Sequence, residues 1–265
     1  VGISCEPLFK GLTYFVNYTE TVNQTPQKIW TYWEDKGSIG CTNRLRIDIY
    51  NSSIDKLKKT PEGFIDPLNT SNQNKLQYTA WSKEVLFSPG ENDYLVTYWY
   101  PFNISGKFTG QFRLYSCNEI YEKPPFAFEV LKWQQFPEPA DSEKMFEKIA
   151  IKNNDENNIE ITLKSRQDLN NLLILPAKYP RGWIFEYAKI DQLKKGREIK
   201  IPMSYIPGIW APTNITLHFV TEDGTYYFEK EFTIEKQQSD NRILFATITT
   251  IFFILTIFFV KHRTH

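Results

Sequence analysis

The sequence predicts a mainly β protein, with two β-sandwich domains of immunoglobulin or fibronectin type on the extracellular side of a membrane and one transmembrane helix after them. Three observations predict it. Aromatic residues make up 16% of the chain, with seven Trp and fifteen Tyr, and these side chains favour strands and supply large buried area. Short runs rich in Tyr, Trp, Ile and Val, bounded by turn residues, recur through residues 1–235. Residues 243–260 then contain no charge, Gly or Pro.

The first domain is expected over residues 1–134. Its strands are read at 12–18, 28–33, 44–50, 76–81, 94–100, 107–116 and 126–133, between loops such as Glu34-Asp35-Lys36-Gly37 and Ser88-Pro89-Gly90. Leu45, Ile47 and Ile49 alternate with Arg46, Asp48 and Tyr50, which predicts a half-buried strand. Val96-Thr97-Tyr98-Trp99-Tyr100 has bulky groups on both faces, so it is expected as a central strand covered twice or as one docked on another domain. The three cysteines are Cys5, Cys41 and Cys117. A Cys41–Cys117 disulfide within one β-domain is expected, leaving Cys5 for an upstream segment or a partner; Cys5–Cys41 with Cys117 free is the alternative.

Residues 135–142, with two prolines and no periodicity, read as a linker. The second domain is expected over 143–235, with strands at 148–152, 159–164, 172–175, 183–188, 198–202, 214–221 and 225–234. Ile159, Ile161 and Leu163 share one face, and Glu222-Asp223-Gly224 is a hairpin signal. Seven short strands of this kind fit an immunoglobulin- or fibronectin-like sandwich. In the strand from Asn214, the side chains of Ile215, Leu217 and Phe219 point inward, which puts Asn214, Thr216 and His218 on the solvated face. One helical turn is expected around 142–147.

As a helix, the 18 residues 243–260 span about 27 Å, close to the ~30 Å hydrocarbon core of a bilayer. Residues 236–242 read as a stalk and 261–265 as a cytoplasmic tail. Six N-glycosylation sequons, at Asn17, Asn23, Asn51, Asn69, Asn103 and Asn214, put the body on the lumenal or extracellular side, as in a single-pass type I protein of the plasma membrane. A removable lipid-anchor signal fits less well, because no polar spacer follows Ser239-Asp240-Asn241 and the tail is basic. The chain begins at Val1, which reads as a processed terminus or as the C-terminal part of something longer. The five-residue tail is short for recruiting a cytosolic enzyme. Expected partners are the lipid bilayer and other membrane-protein subunits, met through the ectodomain and through the Ala246-Thr247-x-x-Thr250 face of the span.

Formal charge is zero, so no basic footprint for nucleic acid exists. Of three histidines two lie in the tail, and His218 is read as alone and solvated, which leaves a serine or cysteine nucleophile without a base. No nucleophile-elbow, zincin, P-loop or dinucleotide-binding motif occurs. Glu138, Asp141, Glu143 and Glu147 beside the linker read as solvated surface. A calcium site between the domains using Asp141 or Asp155 lacks the required loop spacing. No catalytic residue, metal or cofactor is therefore expected. Two function classes remain: an accessory subunit of a membrane complex, or an adhesion or ligand-binding ectodomain.

The segments Ser88-Pro89-Gly90-Glu91-Asn92-Asp93-Tyr94 and Tyr98-Trp99-Tyr100-Pro101-Phe102-Asn103-Ile104-Ser105-Gly106, with the stalk and span, give the whole chain a resemblance. It looks like the membrane-proximal end of the large single-pass accessory subunits of CatSper, the sperm calcium channel. Those subunits are several times longer. The resemblance implies a non-catalytic subunit that helps assemble an extracellular canopy over a channel in the sperm flagellar membrane.

Overall fold

The computed structural model describes residues 21–34, 40–88, 91–117, 119–132, 142–155, 157–208 and 213–234. The expected strand at 12–18, Cys5, the sequon at Asn17, the linker residues 135–141 and the apolar stretch 243–260 lie outside them. Among the described residues no helix is long and apolar enough to cross a membrane.

Strands dominate. Before residue 133 run β1 (Thr21–Val22), β2 (Gln27–Glu34), β3 (Cys41–Tyr50), β4 (Leu76–Trp81), β5 (Val85–Phe87), β6 (Asn92–Trp99), β7 (Gly106–Ser116), β8 (Glu119–Glu122) and β9 (Phe126–Val130). A 3-10 turn (Ile54–Lys56) and the short helix α1 (Thr70–Gln73) lie between β3 and β4. After residue 141 come α2 (Ser142–Met145), β10 (Phe146–Asp155), β11 (Asn158–Ser165), β12 (Leu169–Lys178), β13 (Ile184–Phe185), β14 (Ala188–Leu193), β15 (Glu198–Ile206), β16 (Thr213–Thr221) and β17 (Tyr227–Ile234). The run expected at 183–188 is two strands, because the chain leaves the β13–β15 pair at Glu186 and joins β12 through β14 from Ala188.

No sheet mixes strands from before 133 with strands from after 141. In the first unit a seven-stranded sheet has the order β1-β9-β7-β3-β4, with β5 and β8 added on β3 and β7, and β2 pairs with β6 in a second layer. The two layers enclose Leu45, Ile47 and Ile49 of β3, Phe108, Phe112 and Leu114 of β7, and Ile29, Leu95 and Trp99 of the β2–β6 pair. The ring of Phe126 lies over Gly110 of β7, in the space a Cβ there would take. In the second unit two antiparallel four-stranded sheets, β10-β11-β15-β13 and β14-β12-β16-β17, face each other. Ile159, Ile161, Leu163, Ile215, Leu217 and Phe219 are all fully buried between them, so the period-2 pattern placed the inward faces correctly.

A disulfide joins Cys41, the first residue of β3, to Cys117 just after β7, with Cα atoms 5.2 Å apart. The register explains the pairing: Asn43 of β3 lies opposite Ser116 of β7, bringing the two ends together. Closing 76 residues of sequence removes about 4 kcal/mol of denatured-chain entropy.

β3 corrects one expectation. Arg46, Asp48 and Tyr50 were expected on a wet face, yet Asp48 and Tyr50 are buried. Residues 51–75 fold across that face and pack Leu57 and Ile65, together with Leu76 of β4, around Tyr50. Asp48 is paired completely: Arg113 Nη1 donates to Oδ2, Arg46 Nε to Oδ1 at 3.0 Å, and Thr79 Oγ1 to Oδ1 at 2.7 Å. Arg113, itself 3% exposed, also reaches Glu122 at 2.5 Å and the Ile65 carbonyl at 3.1 Å. Gln111 Oε1 accepts from the Ile65 amide at 2.8 Å, and Thr109 Oγ1 donates to the Ser52 carbonyl at 2.7 Å. Within the covering segment, the Asn72 side chain accepts from the Lys58 amide and donates to the Lys58 and Asp66 carbonyls. The polar half of β3 and β7 thus serves as the inner lining of a lid of chain.

Removing one member of a buried ion pair strands the other. Asp48→Ala is expected to cost about 3–5 kcal/mol, whereas Lys148→Ala, at the exposed pair with Glu198, changes stability by under ~1 kcal/mol. Urea unfolding of the full chain, followed by tryptophan fluorescence, measures both.

Candidate functional site at the domain junction

The alternation of β6 makes a junction. Leu95, Thr97 and Trp99 point into the first unit, and Val96, Tyr98 and Tyr100 point away from it. Those outward groups meet the outer face of the β14-β12-β16-β17 sheet, where Leu173, Leu175, Val220 and Tyr227 cover them. Of the two arrangements expected for residues 96–100, docking on another domain is the one observed. β12 is its counterpart: Leu172 and Ile174 enter the second core while Leu173 and Leu175 enter the junction, all four fully buried.

Rings do most of the contacting. Phe102 stacks on Tyr227 with centroids 3.9 Å apart, and Tyr98 meets Tyr187 edge-on at 5.0 Å. Burial raises the hydroxyl pKa values of Tyr98, Tyr100 and Tyr187 to about 12. His218 sits among Tyr100, Phe102 and Tyr227, its Nε2 3.1 Å from Glu229 Oε2, which also accepts from Tyr227 Oη at 3.0 Å. This overturns the reading of His218 as solitary and solvated: its side chain is 12% exposed. Thr216, expected on the same wet face, is buried as well, and of the three residues only Asn214 is exposed. His218 is covered because Tyr100 and Phe102 of the first unit sit on it.

Polar contacts frame the rings. Arg44 Nη2 donates to Glu186 Oε1 at 2.9 Å and pairs with Glu84 at 3.1 Å, while the Glu84 amide donates to the same Glu186 oxygen. Tyr179 Oη donates to the Thr79 carbonyl at 2.8 Å, and Arg181 donates to the side chain and carbonyl of Gln73. Trp81 pairs with Glu186 through an isolated parallel bridge.

Beside these contacts lies a cleft of about 620 Å³. Its first-unit wall includes Arg46, Leu68, Gln73, Gln77, Tyr78 and Trp81; its second-unit wall includes Lys178, Tyr179, Arg181 and Trp183. The Arg46 guanidinium lies 5.2 Å from the Trp81 ring centroid. A smaller cavity of about 290 Å³ also touches Trp81 and is lined by Asn43, Arg44, Tyr115 and Ser116. Clefts between domains are a common setting for small-ligand binding. Sequence reading missed this one, because its residues come from β3, β4, the covering segment and residues 177–183, none of which shows a motif.

The residues singled out from the sequence do not converge. Asn23, Asn51, Asn103 and Asn214 are exposed on separate turns and strands. Asn69 is partly buried and caps α1, its Oδ1 accepting from the Ser71 amide at 3.0 Å. Glu147 is exposed and pairs with Lys164 at 2.8 Å, and Glu138 and Asp141 lie outside the described residues. Among the described residues no group of three or more His, Cys, Asp or Glu side chains is placed to hold a metal ion.

No family model and no curated protein matches the chain. Solved structures are similar at low level, these three among them. A red sea bream transglutaminase has 7% identity over 85% of this chain and a TM-score of 0.28, and the chain spans 31% of that protein. The periplasmic chaperone SfaE has 10% identity, 80% and 92% coverage of the two chains, and a TM-score of 0.25. CBD12 from CALX1.2 has 9% identity, 89% and 86% coverage, and a TM-score of 0.20. At these scores the likeness carries no argument about function.

The His218 cluster makes a pH prediction. Burial lowers its pKa from 6.5 to about 4, outweighing the pull of Glu229, and Lys178 adds to the lowering. The unfolded chain then binds the proton more readily than the folded one. Stability is full above about pH 6.5 and falls as pH drops towards 4. Other acidic groups titrate below pH 5, so the readout is a difference: the urea midpoint of His218→Phe should fall less between pH 7 and 4.5 than that of the parent.

Proposed function

We propose that this chain is a non-catalytic, single-pass type I membrane glycoprotein acting as an accessory subunit of a membrane complex, with CatSper as the candidate assembly from the sequence resemblance. The second unit is read as an immunoglobulin- or fibronectin-like sandwich, and residues 243–260 as its transmembrane helix. The single observation that carries the proposal is the junction. By burying both faces of β6 and of β12 it makes two β units into one stiff body, the mechanical property a scaffold beside a channel requires. The exposed sequons at Asn23, Asn51, Asn103 and Asn214 are compatible with a glycosylated, extracellular surface.

A ligand-binding receptor ectodomain is the second reading, and the interdomain cleft is the observation that favours it. Purification of the tagged full chain from cell membranes in mild detergent, followed by mass spectrometry, separates the two. The accessory reading expects a multi-pass membrane protein in near-stoichiometric amount; a chain recovered alone counts against it. Treatment of the cell-expressed chain with an N-glycosidase is expected to raise its gel mobility sharply, and an unchanged band would remove the extracellular topology.

A further inference from the structure

We propose that the 620 Å³ interdomain cleft binds an acidic saccharide, a function separate from the scaffold role above. Charge makes the first argument. Three cations, Arg46, Lys178 and Arg181, line the cleft, and among the described residues no Asp or Glu does. Arg46 is neutralised by Asp48 at 2.9 Å. Among the described residues Arg181 donates only to the uncharged Gln73, and Lys178 makes no ion pair. Among the described residues the cleft wall therefore carries an excess of positive charge, which favours an anionic occupant.

Surface chemistry makes the second. Tyr78 and Tyr179 put half-buried aromatic side chains on the wall, surfaces of the kind on which the C–H side of a pyranose packs, and the exposed Gln77 amide is available to its hydroxyls. Aromatic walls with a few convergent polar groups mark small-ligand sites, and the volume falls within their usual range of roughly 300–1,000 Å³. An extended acidic peptide fits less well. It would bind best by adding to the free edge of β4, and that edge is already engaged, at the Thr79 carbonyl by Tyr179 and at Trp81 by Glu186.

The test uses the full-length chain in lipid nanodiscs after enzymatic removal of N-linked glycans. It is titrated calorimetrically with a heparin-derived tetrasaccharide, sialyllactose, lactose and a hexaglutamate peptide. Saturable binding of at least one acidic saccharide, about tenfold or more tighter than lactose, is expected, and whether the sulfated or the sialylated probe prevails names the source of the charge. Lys178→Glu and Arg181→Gln should each weaken that binding by about tenfold. Because Lys178 is exposed, its variant is expected to keep the parent's thermal midpoint, so a loss of binding there is not a loss of fold. The proposal is overturned if neither acidic saccharide outbinds lactose, if both variants bind as the parent does, or if hexaglutamate binds as tightly as the saccharides.

Discussion

β6 carries an apolar load on both faces, and the β2–β6 pair is too small a layer to cover the outer one. Tyr98 and Tyr100 are left 3% and 5% exposed only because a second sheet lies against them. A buried aromatic removes roughly 150–250 Å² from water, about 4–6 kcal/mol each before ordering costs. That driving force sets the relation of the two units. It also makes β12 an interior strand, since its Leu173 and Leu175 would otherwise face solvent.

The opposite side of the first sheet is organised by charge. Asp48 and Arg113 are buried as a pair, and their remaining hydrogen-bonding capacity is taken up by Arg46, Thr79, Glu122 and the Ile65 carbonyl. A buried pair is weak evidence for stability but good evidence for a specified arrangement. Here it specifies the path of residues 51–75, whose Leu68 and Gln73 reach the cleft wall. The cleft therefore rests on both constraints: aromatic docking positions one wall, and the ion pair, through the segment it pins, positions the other.

Strand positions were largely legible because alternation survives in the sequence: 76–81 is β4 to the residue, and Ile159, Ile161 and Leu163 are inward as read. What failed were statements about the other face. Periodicity separates two sides of a strand, but says nothing about what a distant segment lays on the polar one. So Asp48, Thr216 and His218 read as wet although each is largely buried, Asp48 under residues 51–75 and His218 where the first unit sits on the second. One clue was present. Leu172-Leu173-Ile174-Leu175 is four apolar residues in a row, the mark of a strand buried twice, and it is the match for the two-faced Val96–Tyr100 run. The cleft left no such trace, because its charges and rings converge only in three dimensions.

The Cys41–Cys117 bond bears on how this molecule would carry load. If tension is applied along the chain between a distal contact and a membrane attachment, a pull that unravels the first unit meets the covalent tie at the ends of β3 and β7. The 76 residues of sequence it encloses cannot be drawn out. At ~3.3–3.6 Å per residue, roughly 250 Å of extension is withheld. The bond keeps that part of the first unit short even after its strands have given way.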